Sequence, residues 1–320
     1  MKTYIVTGGA GFIGSNLAKR LIKEGYKVYV IDDLSTGFLR NIPEEAIFCK
    51  ADISDFKQLQ MIELPDKIDC VFHLAAQSSG EASFDDPARD IDVNYKGTYN
   101  MLKLAEMKHS QRFIYTSSMS VYGEVTGMNI YIDETYNCTP ISYYGCNKLA
   151  SEQVISLYTR TSTIKPTVFR LFNVYGPGQN MLNMKQGMAS IYMSYMMNKK
   201  PILVKGSLER FRDFIYIDDV VDVLIQSEDC PETYEEIFNV GTGLKTTVSE
   251  LLGAILRVYN KKEFEQWVMC SGNTAGDVTG LIADNKKLRN ALKWNAKVNI
   301  EEGIYKMKNW IDETMEWWRN

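Results

Sequence analysis

Short apolar runs alternate with apolar stripes of helical spacing through the first half of the chain. Residues 4–7 form a β-branched run with no helical period, which predicts a buried parallel strand. Ile13, Leu17 and Leu21 then repeat at the spacing of one helix face. Similar apolar runs predict further strands at 28–31, 46–49, 71–74 and 112–117. This alternation predicts an α/β protein built on a doubly wound parallel sheet.

A glycine turn lies between the first predicted strand and the first predicted helix. Gly8, Gly11 and Gly14 follow one another at intervals of three residues, so the backbone can approach a pyrophosphate closely. The phosphates would bind free N–H groups at the helix N-terminus, where the helix dipole favours negative charge. Because strand, turn and helix occur in this order, we predict a dinucleotide-binding Rossmann unit rather than an ordinary glycine-rich turn.

The second predicted strand ends in two carboxylates, Asp32 and Asp33. A carboxylate about 20 residues beyond the glycines accepts a hydrogen bond from a ribose 2′-hydroxyl and repels a 2′-phosphate, which predicts NAD rather than NADP. The alternative is that Asp32 only ends a strand and caps a turn. Asp52 and Ile53 follow the third strand, where we expect them to flank the adenine. The small-residue turn 75–77 is expected to pass close to the cofactor.

Hydroxyl and amine side chains follow the fifth predicted strand. Ser118 stands at its carboxyl end, where open α/β sheets bind ligands. Tyr144 and Lys148 are four residues apart in a predicted helix and therefore share one face. A nearby ammonium group favours the phenolate and should lower the tyrosine pKa, which suits proton transfer near neutral pH. Such a pair is usually a surface contact, but its place after a nucleotide-binding unit favours a catalytic role.

Length and composition narrow the class of protein. The 320 residues can form one large domain or two packed lobes. We predict a Rossmann domain over 1–172, to which 213–230 return, and a second, smaller α/β substrate domain over 173–320. The net charge of −4 argues against a nucleic-acid binder.

Apolar runs and cysteine spacing indicate the cellular compartment of the protein and whether it binds a metal. We find no apolar run of membrane length and no signal peptide, and the six cysteines have no CxxC pair or zinc spacing. We therefore expect a cytoplasmic protein with reduced thiols, no metal site and no membrane partner. His73, at the end of a predicted strand, is expected to be a packed histidine rather than a catalyst.

Six motifs together resemble an extended short-chain dehydrogenase/reductase, specifically the NAD-dependent nucleotide-sugar epimerase/dehydratase family, over essentially the whole chain. They are GGAGFIG at 8–14, Asp32, SSMSVYG at 117–123, YYGCNK at 143–148, RLFNVYGPG at 170–178 and RFRDFIYIDDV at 210–220. The resemblance implies NAD as the cofactor and Ser118, Tyr144 and Lys148 as the catalytic triad.

The same resemblance, with the residue patterns above, predicts two sets of contacts. The cofactor set is Gly8, Gly11, Phe12, Ile13, Gly14, Asp32, Asp33, Asp52, Ile53, Leu74, Ala75, Ala76, Gln77, Asn94, Tyr144, Lys148 and Phe172. The substrate set is Ser118, Tyr144, Asn173, Arg212 and Asp277. Relatives in this family pair through helices at about 95–108 and 145–160, which implies a homodimer.

The residues after Ser118 bear on the reaction. The family's sugar 4,6-dehydratases carry an Asp-Glu pair where this chain has Met119 and Ser120, and its decarboxylases carry a Glu in the place of Ser120. What remains resembles the set of a 4-epimerase acting on UDP-glucose or UDP-galactose. The implied mechanism has Tyr144 take the proton of the sugar C4 hydroxyl, directly or through Ser118. The resulting 4-keto sugar then turns over and is reduced on its other face.

One departure from the family pattern leaves the identity of the substrate undecided. Many relatives carry an Arg-Pro before Gly-Asp near residue 276, whereas this chain reads NTAGD at 273–277. Diphosphate binding should therefore depend on Arg212 and on Lys205. Leu281 leaves room that a tyrosine would fill, so an N-acetyl sugar stays open. The alternatives are an epimerase or reductase that acts at another carbon or on a CDP-, GDP- or dTDP-sugar, and a non-enzymatic NAD-sensing binding protein.

Overall fold

A parallel sheet of seven strands is the centre of the molecule. The computed structural model describes residues 1–125, 131–272 and 280–318. Its strands in chain order are β1 (Thr3–Thr7), β2 (Lys27–Asp32), β3 (Ile47–Lys50), β4 (Cys70–His73), β5 (Arg112–Ser118), β6 (Tyr131–Ile132), β7 (Lys165–Leu171), β8 (Asn173–Tyr175), β9 (Ile202–Val204), β10 (Phe211–Arg212), β11 (Phe214–Tyr216), β12 (Glu236–Val240), β13 (Thr246–Thr247), β14 (Val268–Cys270) and β15 (Ile282–Ala283).

The strand order confirms the doubly wound sheet. It runs β12-β7-β5-β4-β1-β2-β3, and every neighbouring pair is parallel. The chain therefore winds outward from β1 to β3 and then crosses to the opposite side at β4. In open α/β sheets, ligands bind outside the carboxyl ends of the strands at this reversal.

Helices cover both faces of the sheet. In chain order they are α1 (Phe12–Lys23), α2 (Phe56–Gln60), α3 (Pro87–Asp90), α4 (Gly97–Met107), α5 (Tyr143–Thr159), α6 (Met188–Met197), α7 (Ile217–Gln226), α8 (Val248–Val258), α9 (Phe264–Trp267), α10 (Lys286–Leu292) and α11 (Ile300–Glu313). A π-helical segment, Ile91–Lys96, joins α3 to α4. Among the described residues, none of these helices has both the length and the apolar character that a bilayer crossing requires.

Alternation along β1 divides the core between the two faces. Val6 packs with Leu17 of α1 and Val220 of α7, whereas its neighbour Ile5 packs with Leu102 of α4 on the other face. Successive side chains of a strand point to opposite faces, so a continuous apolar run is what a sheet covered on both faces requires.

The second half of the chain is interleaved with the sheet. The predicted domain division put 236–240 in the substrate lobe, but β12 pairs in parallel with β7 and forms an edge of the central sheet. In the returning segment 213–230, α7 packs beside α1. By contrast, β11 pairs with β8 outside the central sheet. Phe238 and Val240 are buried against the same core as α7, which explains why β12 lies there.

Candidate active site

Two glycines of the first turn are required by close backbone contacts. Gly8 has φ +69°, and a Cβ there would lie 2.8 Å from the backbone nitrogen of Ala75. A Cβ on Gly14 would overlap the carbonyl oxygen of Gly8, so only glycine lets α1 approach β1 this closely. Gly11 is the N-cap of α1, and Phe12 and Ile13 are its first residues. Their N–H groups therefore belong to a helix end that can bind phosphate.

Asp32 lies at the end of β2 and faces this turn. Its carboxylate accepts hydrogen bonds from the N–H groups of Ala10 (3.0 Å) and Leu34 (2.8 Å). Burial raises the pKa of the Asp32 carboxyl, and the two backbone bonds oppose that rise. The carboxylate is thus fixed beside the glycine turn, where a ribose hydroxyl can donate to it.

Arg89 joins two other carboxylates of the predicted cofactor set. Its guanidinium donates to Asp33 (3.0 Å) and to Asp52 (2.7 Å), which follow different strands. Burial raises the pKa of the Asp52 carboxyl, but the bonds from Ser54 and Arg89 outweigh it and the pKa lies below its usual range. Sequence reasoning missed Arg89, because only the fold brings α3 to these loops.

The floor of the site is a buried hydroxyl and imidazole pair. The Thr7 hydroxyl oxygen accepts from the N–H groups of Leu74 and Ala75 (3.0 Å each) and contacts His73 Nδ1 at 2.8 Å. His73 Nε2 lies 3.0 Å from the Thr98 hydroxyl. Complete burial lowers the pKa of His73 to about 3. His73 is therefore a neutral packing residue, as the sequence suggested.

The side chain of Asn94 has a buried oxygen that a bound nucleotide could contact. Its amide nitrogen donates to the carbonyl of Gln77 and to Asp90, both at 3.0 Å. Its side-chain oxygen is buried and accepts no hydrogen bond within the described part of the chain. A buried acceptor of this kind needs a partner, and a bound nucleotide can supply one. The glycine turn, Asp32 and Asn94 thus fit a dinucleotide.

Ser118, Tyr144 and Lys148 come together at the carboxyl end of β5. The Ser118 side chain lowers the pKa of Tyr144, and the Ser118 hydroxyl donates to the Ser120 hydroxyl (3.1 Å). Lys148 Nζ donates to the carbonyl of Thr116 (2.8 Å) and lies 5.9 Å from the centroid of the Tyr144 ring. Ser142 is the N-cap of α5, and its hydroxyl oxygen accepts a hydrogen bond from the N–H of Gly145 (3.1 Å).

The predicted lowering of the Tyr144 pKa is wrong. Burial raises the pKa of Tyr144 to about 12; the Ser118 hydrogen bond lowers it in part, and the charge of Asp90 raises it further. Burial also lowers the pKa of Lys148 to about 7, against the charges of Asp90 and Glu152. Spacing along a helix revealed the pair but not its burial, which dominates both pKa values.

An open pocket of about 420 Å³ adjoins this cluster. Its lining includes Met119, Ser120, Asn173, Lys205, Arg210, Arg212 and Leu281. Arg212 is buried, and burial together with the charge of Arg210 lowers its pKa to about 10. The Asn173 amide nitrogen lies 3.4 Å from the Met119 sulfur. Pocket and triad thus adjoin, while the predicted contact Asp277 and the NTAGD motif lie outside the described residues.

Other predicted cofactor residues lie around the same edge of the sheet. Ile53 is buried, and a Cβ on Gly97 would overlap its side chain. Gln77 donates to Asp90 (3.0 Å). Ala76 is half-buried, and Phe172 is buried with Val121 and Leu281 in a small core cluster. Sequence reasoning missed Asp90, which is buried and has no motif of its own.

A parallel, doubly wound sheet with a glycine turn at one strand end and a serine, tyrosine and lysine at another defines a Rossmann-fold enzyme of the short-chain dehydrogenase type. A model of the NAD dependent epimerase/dehydratase family matches residues 4–241. The chain belongs to this family.

Individual relatives align with this chain over nearly its full length and nearly the full length of their own chains. A putative UDP-glucose 4-epimerase of Methanocaldococcus jannaschii is 33% identical, with 96% of this chain and 97% of that protein covered. The UDP-glucose 4-epimerase of Thermotoga maritima, solved with UDP-glucose, has a TM-score of 0.91 at 34% identity, covering 98% and 99% of the two chains. The UDP-glucose 4-epimerase of Thermus thermophilus, solved with NAD, has a TM-score of 0.88 at 29% identity, covering 98% and 100%.

Proposed function

We propose that this protein is an NAD-dependent nucleotide-sugar 4-epimerase that interconverts UDP-glucose and UDP-galactose. One observation supports the proposal most directly: Ser118, Tyr144 and Lys148 lie together beside the pocket. Met119 and Ser120, which follow Ser118 in the sequence, line that pocket. Neither of these two side chains can act as the carboxyl acid or base that elimination of water from C5 and C6 would require. The similarity to named UDP-glucose 4-epimerases supports the same reaction.

The cofactor would occupy the edge of the sheet. In this proposal the turn from Gly8 to Gly14 binds the pyrophosphate, Asp32 binds a ribose hydroxyl, and the buried oxygen of Asn94 accepts from the bound nucleotide. NAD, when bound, supplies an acceptor for the hydrogen of C4 and later the donor that returns it.

Tyr144 is the proposed acid and base. It takes the proton of the C4 hydroxyl, directly or through Ser118, and returns a proton once the sugar has turned over. Because burial raises the pKa of Tyr144 to about 12, its phenolate needs a nearby cation. The Lys148 ammonium group, one helical turn away on the same face, is that cation and stabilises the phenolate electrostatically.

The pocket would hold the sugar nucleotide. We assign the diphosphate to Arg212, which lines the pocket together with Asn173 and Lys205. Asp277 completes the proposed substrate set. Leu281 lines the same pocket and leaves the C2 side open for an N-acetyl group.

Product analysis tests the proposal. The purified protein is incubated with UDP-glucose, and separately with UDP-N-acetylglucosamine, and the products are identified by proton NMR. We expect UDP-galactose from the first reaction, and the galacto epimer of the second because Leu281 leaves the C2 side open. Absence of UDP-galactose, with NAD supplied, would contradict the proposed reaction, whereas absence of the second epimer alone would contradict only the open C2 side. A 4-keto-6-deoxy product would identify a dehydratase instead.

We also propose that the protein is a cytoplasmic homodimer. Ile91, Tyr95, Tyr99 and Met107 recur along one exposed side of the α4 region, and Leu157 is exposed on α5. The rings of Tyr99 and Tyr158 contact each other edge to face at 6.1 Å, so the two helices present one continuous surface. A contiguous set of exposed apolar side chains supports an interface between subunits here. The six cysteines are unpaired, which suits a reducing compartment.

A further inference from the structure

Asp90 is a buried carboxylate that the proposed mechanism does not use. It ends α3, is 0% exposed, and accepts hydrogen bonds from three side-chain amides. One oxygen accepts from Asn147 (2.6 Å) and Asn94 (3.0 Å), and the other accepts from Gln77 (3.0 Å). Removing a carboxylate from water is costly unless an opposite charge compensates it. Asp90 therefore requires a cation nearby to compensate its negative charge.

Lys148 is a buried cation whose charge lowers the pKa of the Asp90 carboxyl. Its side chain is 2% exposed, and its ammonium group and the Asp90 carboxylate act on each other electrostatically. Asn147 precedes Lys148 in the sequence, so its bond to Asp90 ties the carboxylate to the backbone that carries the lysine. A buried lysine loses its proton readily, and a neighbouring negative charge is what keeps it protonated.

A second carboxylate, Glu152, lies near Lys148 but is already paired. The Arg170 guanidinium donates to both of its oxygens, at 3.1 Å and 2.7 Å, and both side chains are about 95% buried. The Ser117 hydroxyl donates to the same carboxylate. Its charge is therefore largely neutralised by arginine. The donors to Asp90, in contrast, are neutral amides, which leave the charge of Asp90 available to Lys148.

The other titratable groups around Lys148 do not provide a negative charge. His73 of β4 is held neutral, because burial lowers its pKa to about 3. Tyr115 of β5, whose ring centroid lies 4.7 Å from Lys148 Nζ, is held protonated because burial raises its pKa. Tyr144 is neutral until it gives up its proton. Of the two negative charges that raise the pKa of Lys148, Asp90 is thus the larger and Glu152 the smaller.

The backbone around Asp90 is built to face α5. The π-helical segment that follows it has a wider turn than an α-helix, and such turns are frequent at functional sites. Within it, the carbonyl oxygen of Asn94 accepts from the hydroxyls of Thr98 (2.6 Å) and Ser151 (2.8 Å). Ser151 belongs to α5, so the same segment fixes Asp90 and Asn94 against the helix that carries Tyr144 and Lys148.

We propose that Asp90 is a positioning residue that increases the protonated fraction of Lys148 near neutral pH and holds the start of α5 against Gln77 and Asn94. This role rests on the proposed function, because it acts through the lysine that stabilises the Tyr144 phenolate. Asp90 itself contacts neither the triad hydroxyls nor the pocket.

The first test is the pH profile of Asp90→Asn. Loss of a negative charge lowers the pKa of both Lys148 and Tyr144, since Asp90 raises both in the native protein. We expect both limbs of the plot of kcat/KM against pH to move to lower pH, by about one unit. Activity should therefore fall most on the alkaline side. A uniform loss at every pH, with both limbs in place, would overturn the proposal.

Asn147→Ser is the matched control. It removes one hydrogen bond from the Asp90 carboxylate but keeps its charge. We expect the limbs of its pH profile to stay where the unmodified protein has them. A shift as large as that of Asp90→Asn would show that hydrogen bonding, rather than charge, sets the pKa of Lys148, and would overturn the proposal.

A direct titration separates this inference from the proposed function and needs no turnover. The protein is labelled with ¹⁵N-lysine, the Lys148 Nζ signal is assigned with Lys148→Arg, and its titration is followed by NMR. In the unmodified protein we expect a midpoint at about 7 and in Asp90→Asn a lower one. Lys148 already neutral well below pH 7 in the unmodified protein, or a midpoint that Asp90→Asn leaves unchanged, would overturn the role of Asp90. Either result would leave the epimerase assignment intact.

Discussion

The hydroxyl of Tyr144 is the single group on which proton transfer depends in the proposed reaction. Tyr144→Phe removes it while keeping the buried ring, so we expect kcat to fall by about 10²- to 10⁴-fold with bound NAD retained. Turnover of UDP-glucose and NAD content are the two measurements. The control is Tyr143→Phe, since Tyr143 is 46% exposed and packs against Phe84. Full activity of Tyr144→Phe would remove this residue from its role.

Arg212 should act on substrate binding rather than on chemistry. A charge-assisted hydrogen bond to a diphosphate contributes about 1.5–3 kcal/mol, so Arg212→Gln should raise the KM for UDP-glucose by about 10- to 100-fold. NAD affinity, measured by fluorescence titration of the same variant, should change much less. An unchanged KM would exclude Arg212 from the phosphate contact. Comparable losses of both affinities would indicate a general disturbance of the buried site instead.

At the scale of elements, the turn between β1 and α1 depends on Gly14. Gly14→Ala puts a methyl group onto the Gly8 carbonyl oxygen, so the helix must move away from the strand. We expect loss of NAD binding and a lower melting temperature. Gly253→Ala in α8 is the control, because its new methyl group would meet only the flexible end of Arg257. In a helix this change should stabilise by about 0.5–1 kcal/mol. Equal NAD binding by Gly14→Ala and native protein would contradict the phosphate role of the turn.

Local patterns predicted the elements that carry motifs, but not the contacts made between them. The apolar run and glycines around Gly8 are local features, so strand, turn and helix could be read directly from the sequence. The place of β12 at the sheet edge depends on packing between distant segments, which the pattern around Phe238 does not encode. The roles of Arg89 and Asp90 likewise could not be predicted, because they depend on contacts that α3 makes with distant loops and with α5.

The pKa of Tyr144 shows the same limit at the active site. Helical spacing correctly brought Tyr144 and Lys148 onto one face, but spacing carries no information about burial. Because desolvation acts on each group more strongly than its partner does, the tyrosine pKa rises and the lysine pKa falls. The working state therefore depends on charges that the substrate, the cofactor and Asp90 add to this pair.

At the scale of the whole molecule, the exposed face of α4 and α5 should hold two subunits together. Leu157→Glu places a charge on that face and should convert the dimer into a monomer, as measured by sedimentation velocity. Leu244→Glu is a matched control, because Leu244 is 64% exposed and Leu157 is 63% exposed. Only the Leu157 variant should dissociate. A native protein that sediments as a monomer would contradict the proposed homodimer.

In the proposed reaction, C4 is oxidised and reduced without exchange of its hydrogen with solvent. The most direct measurement is epimerisation of UDP-glucose deuterated at C4 in ordinary water, with the product examined by NMR and mass spectrometry. We predict that the deuterium remains at C4 of UDP-galactose, because the hydrogen removed from one face is returned to the other. Replacement of that deuterium by solvent hydrogen would contradict the account.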